Sequence, residues 1–262
     1  PFNFNENGVP KGFSIDYMKL LAQKTGLEIS FVNGPSWAEF LQMMKEGKLD
    51  VMLNIARSPD REQFLLFTPP YVKMIQMLYT RKDFPAVSSI KDLYGKRFAV
   101  PKGFFLHEVL KAHPQIEIVE VADTPEAIRA VSVGRADALF DLMPVVDYIT
   151  GQLQITNLKV GGDLGLKEGK PIPLHIAVGK DNKTLAGILE KGIKNISEEE
   201  IRKLHEIWLP GSIRLKPDVA PARGAPVHLT EEERAFLAGK QVRLGVDVAR
   251  PPFEYVDKKG IY

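Results

Sequence analysis

The alternation of apolar and polar positions predicts helices and short strands that follow one another along most of the chain. Apolar residues recur at helical spacing in several segments, and the short apolar runs between them are typical of buried strands. The predicted strands are residues 27–32, 49–55, 74–80, 97–100, 116–121, 136–140, 174–178 and 241–246. The predicted helices are residues 13–24, 104–111, 124–134 and 185–196, and three that begin at capping boxes on Ser36, Ser197 and Thr230.

This order of elements predicts an α/β fold. Strands separated by helices favour right-handed crossovers and parallel sheets, and there are too many units for one small sheet. We therefore expect two lobes, with the chain passing into the second near residues 80–82 and returning near residues 173–180. Lobe 1 would comprise residues 1–80 and 174–212, and lobe 2 residues 81–173.

The composition changes after residue 211. Residues 213–228 are rich in proline and show little periodicity, which is typical of a linker. Further on, Pro252-Phe253 repeats Pro1-Phe2 at an offset of 251 positions. We therefore expect residues 229–262 to hold a linker helix and the first strand of a second, truncated domain. That strand could complete lobe 1, within one chain or by exchange between two.

The composition excludes several classes of protein. The chain has 262 residues, 44% hydrophobic and 26% charged, as in ordinary globular domains, which excludes a disordered tail. It has no cysteine, which excludes disulfide scaffolds, thiolate metal sites and cysteine nucleophiles. The net charge of +2 gives no reason to expect a nucleic acid or an anionic membrane as partner.

Signals for targeting, catalysis and cofactors are mostly absent from the sequence. No apolar run approaches the ~18 residues of a membrane helix, and the chain opens on Pro1-Phe2 without a signal peptide, so we expect a fragment of a longer product. There is no G-x-S-x-G, G-x-x-x-x-G-K-[ST] or G-x-G-x-x-G motif. The five histidines do not stand at metal-ligand spacing. We expect no cofactor and no metal site.

One segment carries a more specific pattern. Ser58-x-x-Arg61 is followed by F-T-P-P-Y at residues 67–71. This resembles the T-x-x-R and F-[ST]-x-P-Y motifs of the type II periplasmic solute-binding proteins, specifically the polar amino-acid group, bacterial family 3. Further short motifs in the family's order lie at residues 1–2, 12–16, 46–50, 92–96, 134–141 and 207–208. The resemblance covers nearly all of residues 1–212 and implies a two-lobed Venus flytrap fold with hinge strands between the lobes.

The resemblance implies roles for several polar residues. A guanidinium binds a carboxylate through two parallel hydrogen bonds, and the family arginine that holds the ligand's α-carboxylate corresponds to Arg61. Asp141 would hold the ligand's ammonium from the opposite lobe, so that a zwitterion would pull the lobes together. Ser58 and Asn54 would add polar contacts. The alternative for Arg61 is a surface ion pair with an acidic neighbour.

Aromatic residues would complete the ligand site. Trp37 stands where family members place an aromatic that stacks on the ligand, and a core tryptophan is the alternative. Gly103 precedes Phe104 where relatives often have a hydroxyl, which predicts a more apolar pocket, although the helix-end amides there could still bind an anion. The other aromatic candidates are Phe2, Phe4 and Tyr71.

The C-terminal segment bears on the class of function. L-T-E-E-E-R-A-F-L at residues 229–237 resembles the linker between tandem solute-binding domains of sensor histidine kinases. This predicts a non-catalytic sensor domain, periplasmic or on the outer face of the inner membrane, that binds a small amino acid-like or carboxylate solute. Its partners would be the second solute-binding domain and a second copy of the chain. The alternatives are a free-standing receptor of an ABC transporter and an enzyme similar to cyclohexadienyl dehydratase, with Glu108 as candidate acid or base.

Overall fold

The structure is a computed structural model that describes residues 5–6, 9–10, 12–162, 164–165, 171–208, 227–246, 249–250 and 254–255. Phe2 and Phe4, most of the predicted linker at residues 213–228, and the repeated Pro252-Phe253 lie outside the described residues. The strands are β1 (Asn5–Glu6), β2 (Val9–Pro10), β3 (Glu28–Val32), β4 (Val51–Ile55), β5 (Leu65–Phe67), β6 (Val72–Arg81), β7 (Arg97–Pro101), β8 (Glu117–Val121), β9 (Ala138–Leu142), β10 (Leu158–Val160), β11 (Pro171–Gly179), β12 (Gln241–Gly245), β13 (Ala249–Arg250) and β14 (Glu254–Tyr255). The helices are α1 (Phe13–Thr25), α2 (Trp37–Lys45), α3 (Pro59–Glu62), α4 (Leu106–Leu110), α5 (Thr124–Ser132), α6 (Met143–Leu153), α7 (Lys183–Lys194), α8 (Glu198–Trp208) and α9 (Glu231–Leu237), with a 3-10 turn at Ile90–Leu93.

Two long antiparallel strands, β6 and β11, join the two halves of a ten-stranded sheet. They pair with each other from Val72–Leu174 to Ile75–Pro171. Beyond this stretch, β11 continues alongside β4 and β5, whereas β6 continues alongside β9 and β10. Lobe 1 therefore contains β3, β12, β4, β11 and β5, lobe 2 contains β6, β9, β7, β8 and β10, and β6 and β11 are the hinge strands.

The chain enters lobe 2 earlier than predicted. Residues 76–80 of β6 pair with β9 of lobe 2, so the crossing lies near residues 72–75 and not near residues 80–82. The chain returns to lobe 1 along β11, where the pairing with β6 ends at Leu174 and the pairing with β4 begins at His175. An apolar run shows that a strand is buried, but it does not show which of two sheets buries it.

Most predicted helices and strands are present within a few residues of their predicted bounds. The capping boxes at Ser36, Ser197 and Thr230 form: the hydroxyl accepts the backbone amide three residues on, and the glutamate there accepts the backbone amide of the cap residue. The helix predicted from residue 124 is capped by Asp123, whose side chain accepts the first-turn amide of Glu126. Helix α6 was not predicted, since its sequence is rich in β-branched residues, which favour strands.

Strand β12 lies inside the sheet of lobe 1, between β3 and β4 and parallel to both. The side chains of Val242 and Leu244 are fully buried in the hydrophobic core. At Gly245 a Cβ atom would stand only 2.7 Å from Leu49 and 2.9 Å from Phe40, so the glycine allows a close approach to α2. Residues 241–245 are therefore an integral part of the lobe 1 core.

The same arginine–aspartate pair occurs in both lobes. Asp50, directly before β4, accepts hydrogen bonds from the amide and guanidinium of Arg243 in β12 at 2.9–3.2 Å. Asp137, directly before β9, accepts equivalent bonds from Arg97 in β7 at 2.9–3.1 Å. Like β12, β7 lies between two parallel neighbours, β8 and β9. Strand β12 thus occupies in lobe 1 the position that β7 occupies in lobe 2.

Asp137 is expected to make the stability of lobe 2 sensitive to acid. Burial raises the pKa of its carboxyl, but the hydrogen bonds and charges of Arg97 and Arg81 outweigh burial, so the pKa lies below the ordinary aspartate value. A carboxyl whose pKa is lowered by folding stabilises the fold above its unfolded-state pKa of about 4, and the contribution is lost as the pH falls through the folded-state pKa. We therefore expect Asp137→Asn to melt below wild type at pH 7, and the gap to narrow below pH about 4.

The control for this pH series is Asp83→Asn. Asp83 also contacts Arg81, at 3.5 Å, but its side chain is 82% exposed. Exposed ion pairs contribute little, so this variant should melt with wild type at every pH. A gap between wild type and Asp137→Asn that stays constant from pH 7 to pH 3 would contradict the assignment.

Helix α9 is docked on lobe 1 through α7. The Lys191 ammonium donates to the Glu233 carboxylate at 2.6 Å, and Glu233 is buried. Leu229, Phe236 and Leu237 pack against the core of the lobe. The predicted linker helix is therefore held in place by both an ion pair and apolar contacts.

Candidate functional site

A small cavity lies between the lobes, near the ends of β4 and β9 and beside the hinge strands. The space open to the centre of a water molecule is about 20 Å³, which is room for roughly one water. Both lobes and both hinge strands contribute to its lining, which is mostly apolar. The described lining residues are Trp37, Asn54, Ala56, Arg61, Gln76, Phe104, Phe105, Leu142, Ile172 and Leu174.

Arg61 carries the positive charge of this lining. It lies in α3, which begins at Ser58, and its side chain is buried, with 4% of the residue exposed. The guanidinium donates to the carbonyl oxygen of Ala56 in lobe 1 at 2.8 Å and to that of Gly103 in lobe 2 at 3.2 Å. Arg61 therefore bridges the two lobes, whereas the neighbouring Glu62 pairs with the exposed Arg57.

Aromatic rings form the wall around the arginine. The guanidinium carbon of Arg61 lies 5.9 Å from the ring centre of Trp37, a distance at which a cation and a π face attract each other. The Trp37 ring in turn meets the Phe104 ring of lobe 2 edge to face, with centroids 6.1 Å apart. Trp37 is thus a buried residue that also lines the cavity.

A buried polar cluster adjoins the cavity at the end of β4. The Asn54 side-chain oxygen accepts from the hydroxyl of Tyr71 at 2.6 Å and from that of Ser14 at 2.8 Å. Asn54 has a φ of 53°, which asparagine tolerates better than most residues. Asn54 itself lines the cavity, and Tyr71 holds the Asn54 side chain through its hydrogen bond.

Ser58 lies at the boundary between the lobes and not in the described lining. Its hydroxyl accepts the amide of Arg61 at 3.4 Å and donates to the Glu108 carboxylate of lobe 2 at 3.2 Å. A second contact across the boundary joins Asp60 to Lys111 at 4.0 Å. Together with the Arg61–Gly103 bond, these contacts hold the two lobes against each other.

Asp141 lies in β9 but outside the described lining. Its carboxylate accepts from the Thr124 hydroxyl and from the Leu142 amide, both at 2.7 Å. Consecutive residues of a strand face opposite sides of the sheet, and it is Leu142 that lines the cavity. The structure therefore places the carboxylate expected to bind an ammonium group on the face of β9 that meets α5, away from the cavity of Arg61.

Six lining residues were not among the sequence candidates: Ala56 and Phe105, which follow β4 and β7, and four residues of strands. Ile172 and Leu174 come from β11 and Gln76 from β6, because the hinge strands form one wall of the cavity, and Leu142 comes from the end of β9. The sequence could have pointed to Gln76, since an amide that is buried inside a strand needs a polar partner. Leu142, Ile172 and Leu174 gave no signal in the sequence, because an apolar residue in a strand is the expected core residue.

A side chain at Gly103 would be in tight contact with lobe 1, so that the contact between the lobes would have to give by a few tenths of an ångström. Its φ is +78°, and a Cβ atom would stand 3.2 Å from the Ala38 Cα of lobe 1. We expect Gly103→Ala to separate the lobes and to weaken ligand binding. The separation is measured as the distance between spin labels on Lys48→Cys and Glu117→Cys, which are exposed positions in a chain without native cysteine.

Gly95→Ala is the matched control for this variant. Gly95 also has a positive φ, +73°, but no atom lies within 4 Å of its Cβ position. Both variants should lose about 1–2 kcal/mol through backbone strain, and only Gly103→Ala should lengthen the label distance. Equal label distances in the two variants would contradict the predicted contact.

Metal-binding clusters and membrane-spanning helices are both lacking in the part of the chain that the structure describes. It contains no group of three or more histidine, aspartate or glutamate side chains placed to hold a metal ion. None of its helices combines the length and the apolar character that crossing a membrane requires.

The fold and the site together define a class of protein. Two α/β lobes joined by paired hinge strands, with a buried arginine between them, form the Venus flytrap fold of periplasmic binding proteins. The family of bacterial extracellular solute-binding proteins, family 3, matches residues 1–211, and the chain belongs to this family.

Similar proteins include sensors and amino-acid receptors. The virulence sensor protein BvgS of Bordetella pertussis is 25% identical over 198 residues, 75% of this chain but only 16% of BvgS. The L-cystine-binding protein TcyJ of Escherichia coli K12 is 25% identical over 221 residues, 81% of this chain and 80% of TcyJ. A histidine kinase sensor domain with similarity to periplasmic binding proteins has the same fold, with a TM-score of 0.72 at 23% identity over 80% of this chain and 91% of that one.

Proposed function

We propose that the chain is the extracytoplasmic sensor domain of a membrane-bound histidine kinase and closes on a small amino acid-like or carboxylate solute. The observation that carries this proposal is the position of Arg61. It is a buried guanidinium beside a cavity, held by lobe 1 and bonded to the Gly103 carbonyl of lobe 2. A carboxylate bound there would be gripped by charge-assisted hydrogen bonds and would favour the closed arrangement of the lobes.

The docked C-terminal segment supports a sensory role. Helix α9 is tied to α7 by the Lys191–Glu233 ion pair, and β12 lies within the lobe 1 sheet. A displacement of lobe 1 would therefore be passed directly to the segment that carries α9. The similarity to BvgS and to a histidine kinase sensor domain points the same way. The proposed partners are a second solute-binding domain of the same chain and a second copy of the chain.

A free-standing receptor of an amino-acid ABC transporter is the second candidate. The similarity to TcyJ over 80% of that receptor favours it. An enzymatic role receives less support, because Glu108, the candidate acid or base, bonds to Ser58 at the lobe boundary and lies outside the described lining. We expect no turnover of prephenate or arogenate by the purified domain.

A thermal-shift screen tests the proposed function. The panel contains the twenty amino acids and small carboxylates from acetate to benzoate. A ligand at 100 times its Kd stabilises by about 2.7 kcal/mol, which corresponds to a rise of roughly 5–10 °C in melting temperature. A hit that also changes autophosphorylation of the full-length protein in membranes supports the sensor, and a hit without that effect favours the transport receptor. If no compound raises the melting temperature, the binding function fails.

A further inference from the structure

We propose that the ligand is a small monocarboxylate with an apolar body and without an α-ammonium group. This inference rests on the proposed function and specifies the ligand of the same site. It follows from the charges that the two lobes present to the cavity.

The carboxylate half of the site is built. Arg61 is buried, its guanidinium is oriented by the carbonyl oxygens of Ala56 and Gly103, and it lines the cavity. Planar guanidinium groups bind carboxylates through two parallel hydrogen bonds. The cavity has room for roughly one water in this arrangement, so a ligand enters only when the lobes lie further apart, and its carboxylate then has a defined partner in Arg61.

The ammonium half of the site is not built among the residues that the structure describes. The described lining contains one guanidinium, the neutral amides of Asn54 and Gln76, and seven apolar residues, and it contains no carboxylate. In an α-amino acid the ammonium is two bonds from the carboxylate carbon. It would have to enter the same cavity as the carboxylate, where an unpaired charge is strongly disfavoured.

Strand register explains why Asp141 does not supply the missing charge. Gln76 pairs with Leu142 across β6 and β9, and both line the cavity. The next pair along the ladder, Met77 with Asp141, faces the other side of the sheet. There the Asp141 carboxylate is held by Thr124 of α5 and by the amide of Leu142, which precedes α6, so its charge lies at the start of two helices, where a negative charge is stabilised.

Among the described residues, two further carboxylates near the lobe boundary are committed elsewhere. Glu108 accepts from Ser58 at the lobe boundary, and Asp60 faces Lys111. Neither belongs to the described lining. Leu142, Ile172 and Leu174 belong to the same lining as Arg61, and their side chains suit a hydrocarbon group.

Matched pairs of ligands test this inference by calorimetry on the wild-type chain. The pairs are 3-methylbutanoate and valine, 4-methylpentanoate and leucine, and 3-phenylpropanoate and phenylalanine, which differ only in the α-ammonium group. We expect each carboxylate to bind at least about tenfold more tightly than its amino acid. Amino acids that bind as tightly as or more tightly than their carboxylates would overturn the inference and leave the proposed function intact.

The wider panel separates failure of this inference from failure of the proposed function. If none of the three pairs binds, the hits of the thermal-shift panel decide. Hits that lack an α-ammonium group support the inference, and hits confined to amino acids overturn it. If nothing in the panel binds, the proposed function fails and the inference fails with it.

Two variants at one position add a test of mechanism. Leu142→Asp places a carboxylate where the inference says that one is missing, and it should raise the affinity for leucine at least tenfold relative to 4-methylpentanoate. Leu142→Asn has nearly the same shape without the charge and should not shift this ratio. An equal shift in both variants would show that polarity and not charge sets the preference, against the inference. The wild-type comparison stands by itself if either variant fails to fold.

Discussion

Replacing Arg61 by alanine is expected to abolish the rise in melting temperature that ligands cause in the wild-type domain. The variant loses the guanidinium that lines the cavity and the hydrogen bond from lobe 1 to the Gly103 carbonyl of lobe 2. Hydrogen bonds to a charged group contribute about 1.5–3 kcal/mol each, so losing a two-bond grip on a carboxylate weakens Kd by a factor on the order of 100 or more. Calorimetry with 4-methylpentanoate and with every hit of the screen measures the loss.

Two further variants separate the charge from its geometry. Arg61→Lys keeps the positive charge without the planar fork, so its affinity should lie between those of wild type and Arg61→Ala. Arg57→Ala removes an exposed arginine four residues away that pairs with Glu62, and it should bind like wild type. Wild-type affinity in a folded Arg61→Ala variant would remove the main support of the proposed function.

Truncating Leu244 to alanine is expected to destabilise the domain by about 3 kcal/mol, or roughly 6–12 °C in melting temperature. Leu244 lies in β12, is fully buried, and belongs to the same core as α1 and α7. A cavity between β3 and β4 cannot collapse easily, because both neighbours are held by the strand's own backbone hydrogen bonds. Thermal or urea unfolding measures the change.

Gln241→Ala is the control in the same strand. Gln241 pairs with Glu28 but its side chain is exposed, and surface substitutions usually change stability by less than about 0.5 kcal/mol. If Leu244→Ala and Gln241→Ala melt together, β12 is not part of the folded core. In that case the Asp50–Arg243 ion pair would not form either, because it requires β12 in the same position.

Local signals accounted for much of the fold. Capping boxes such as the one at Ser36 place a helix start to the residue, because the two hydrogen bonds of the box join positions three apart in the chain. Buried strands such as β4 and β9 were visible as short apolar runs. Helix α6 was missed because β-branched residues weigh against a helix in isolation, whereas burial of Val145, Val146 and Ile149 in the tertiary structure favours it.

The sequence provides site candidates where one residue type suits one chemistry. Arg61 stood out because its motif is specific, and the structure places it beside the cavity. Asp141 was chosen because the family motif implied it, but one position along a strand reverses the face on which a side chain lies. The apolar Leu142 beside it lines the cavity instead.

The sequence by itself determined the class of this protein: an α/β chain of family 3 with an arginine suited to a carboxylate. These properties depend on periodicity and on short motifs, which are local. Only the tertiary structure decided that the chain crosses near residues 72–75, that β12 fills lobe 1, and that the Asp141 carboxylate turns away from Arg61. Each of these depends on strand register and pairing between residues far apart in the chain, and local patterns do not specify such pairings.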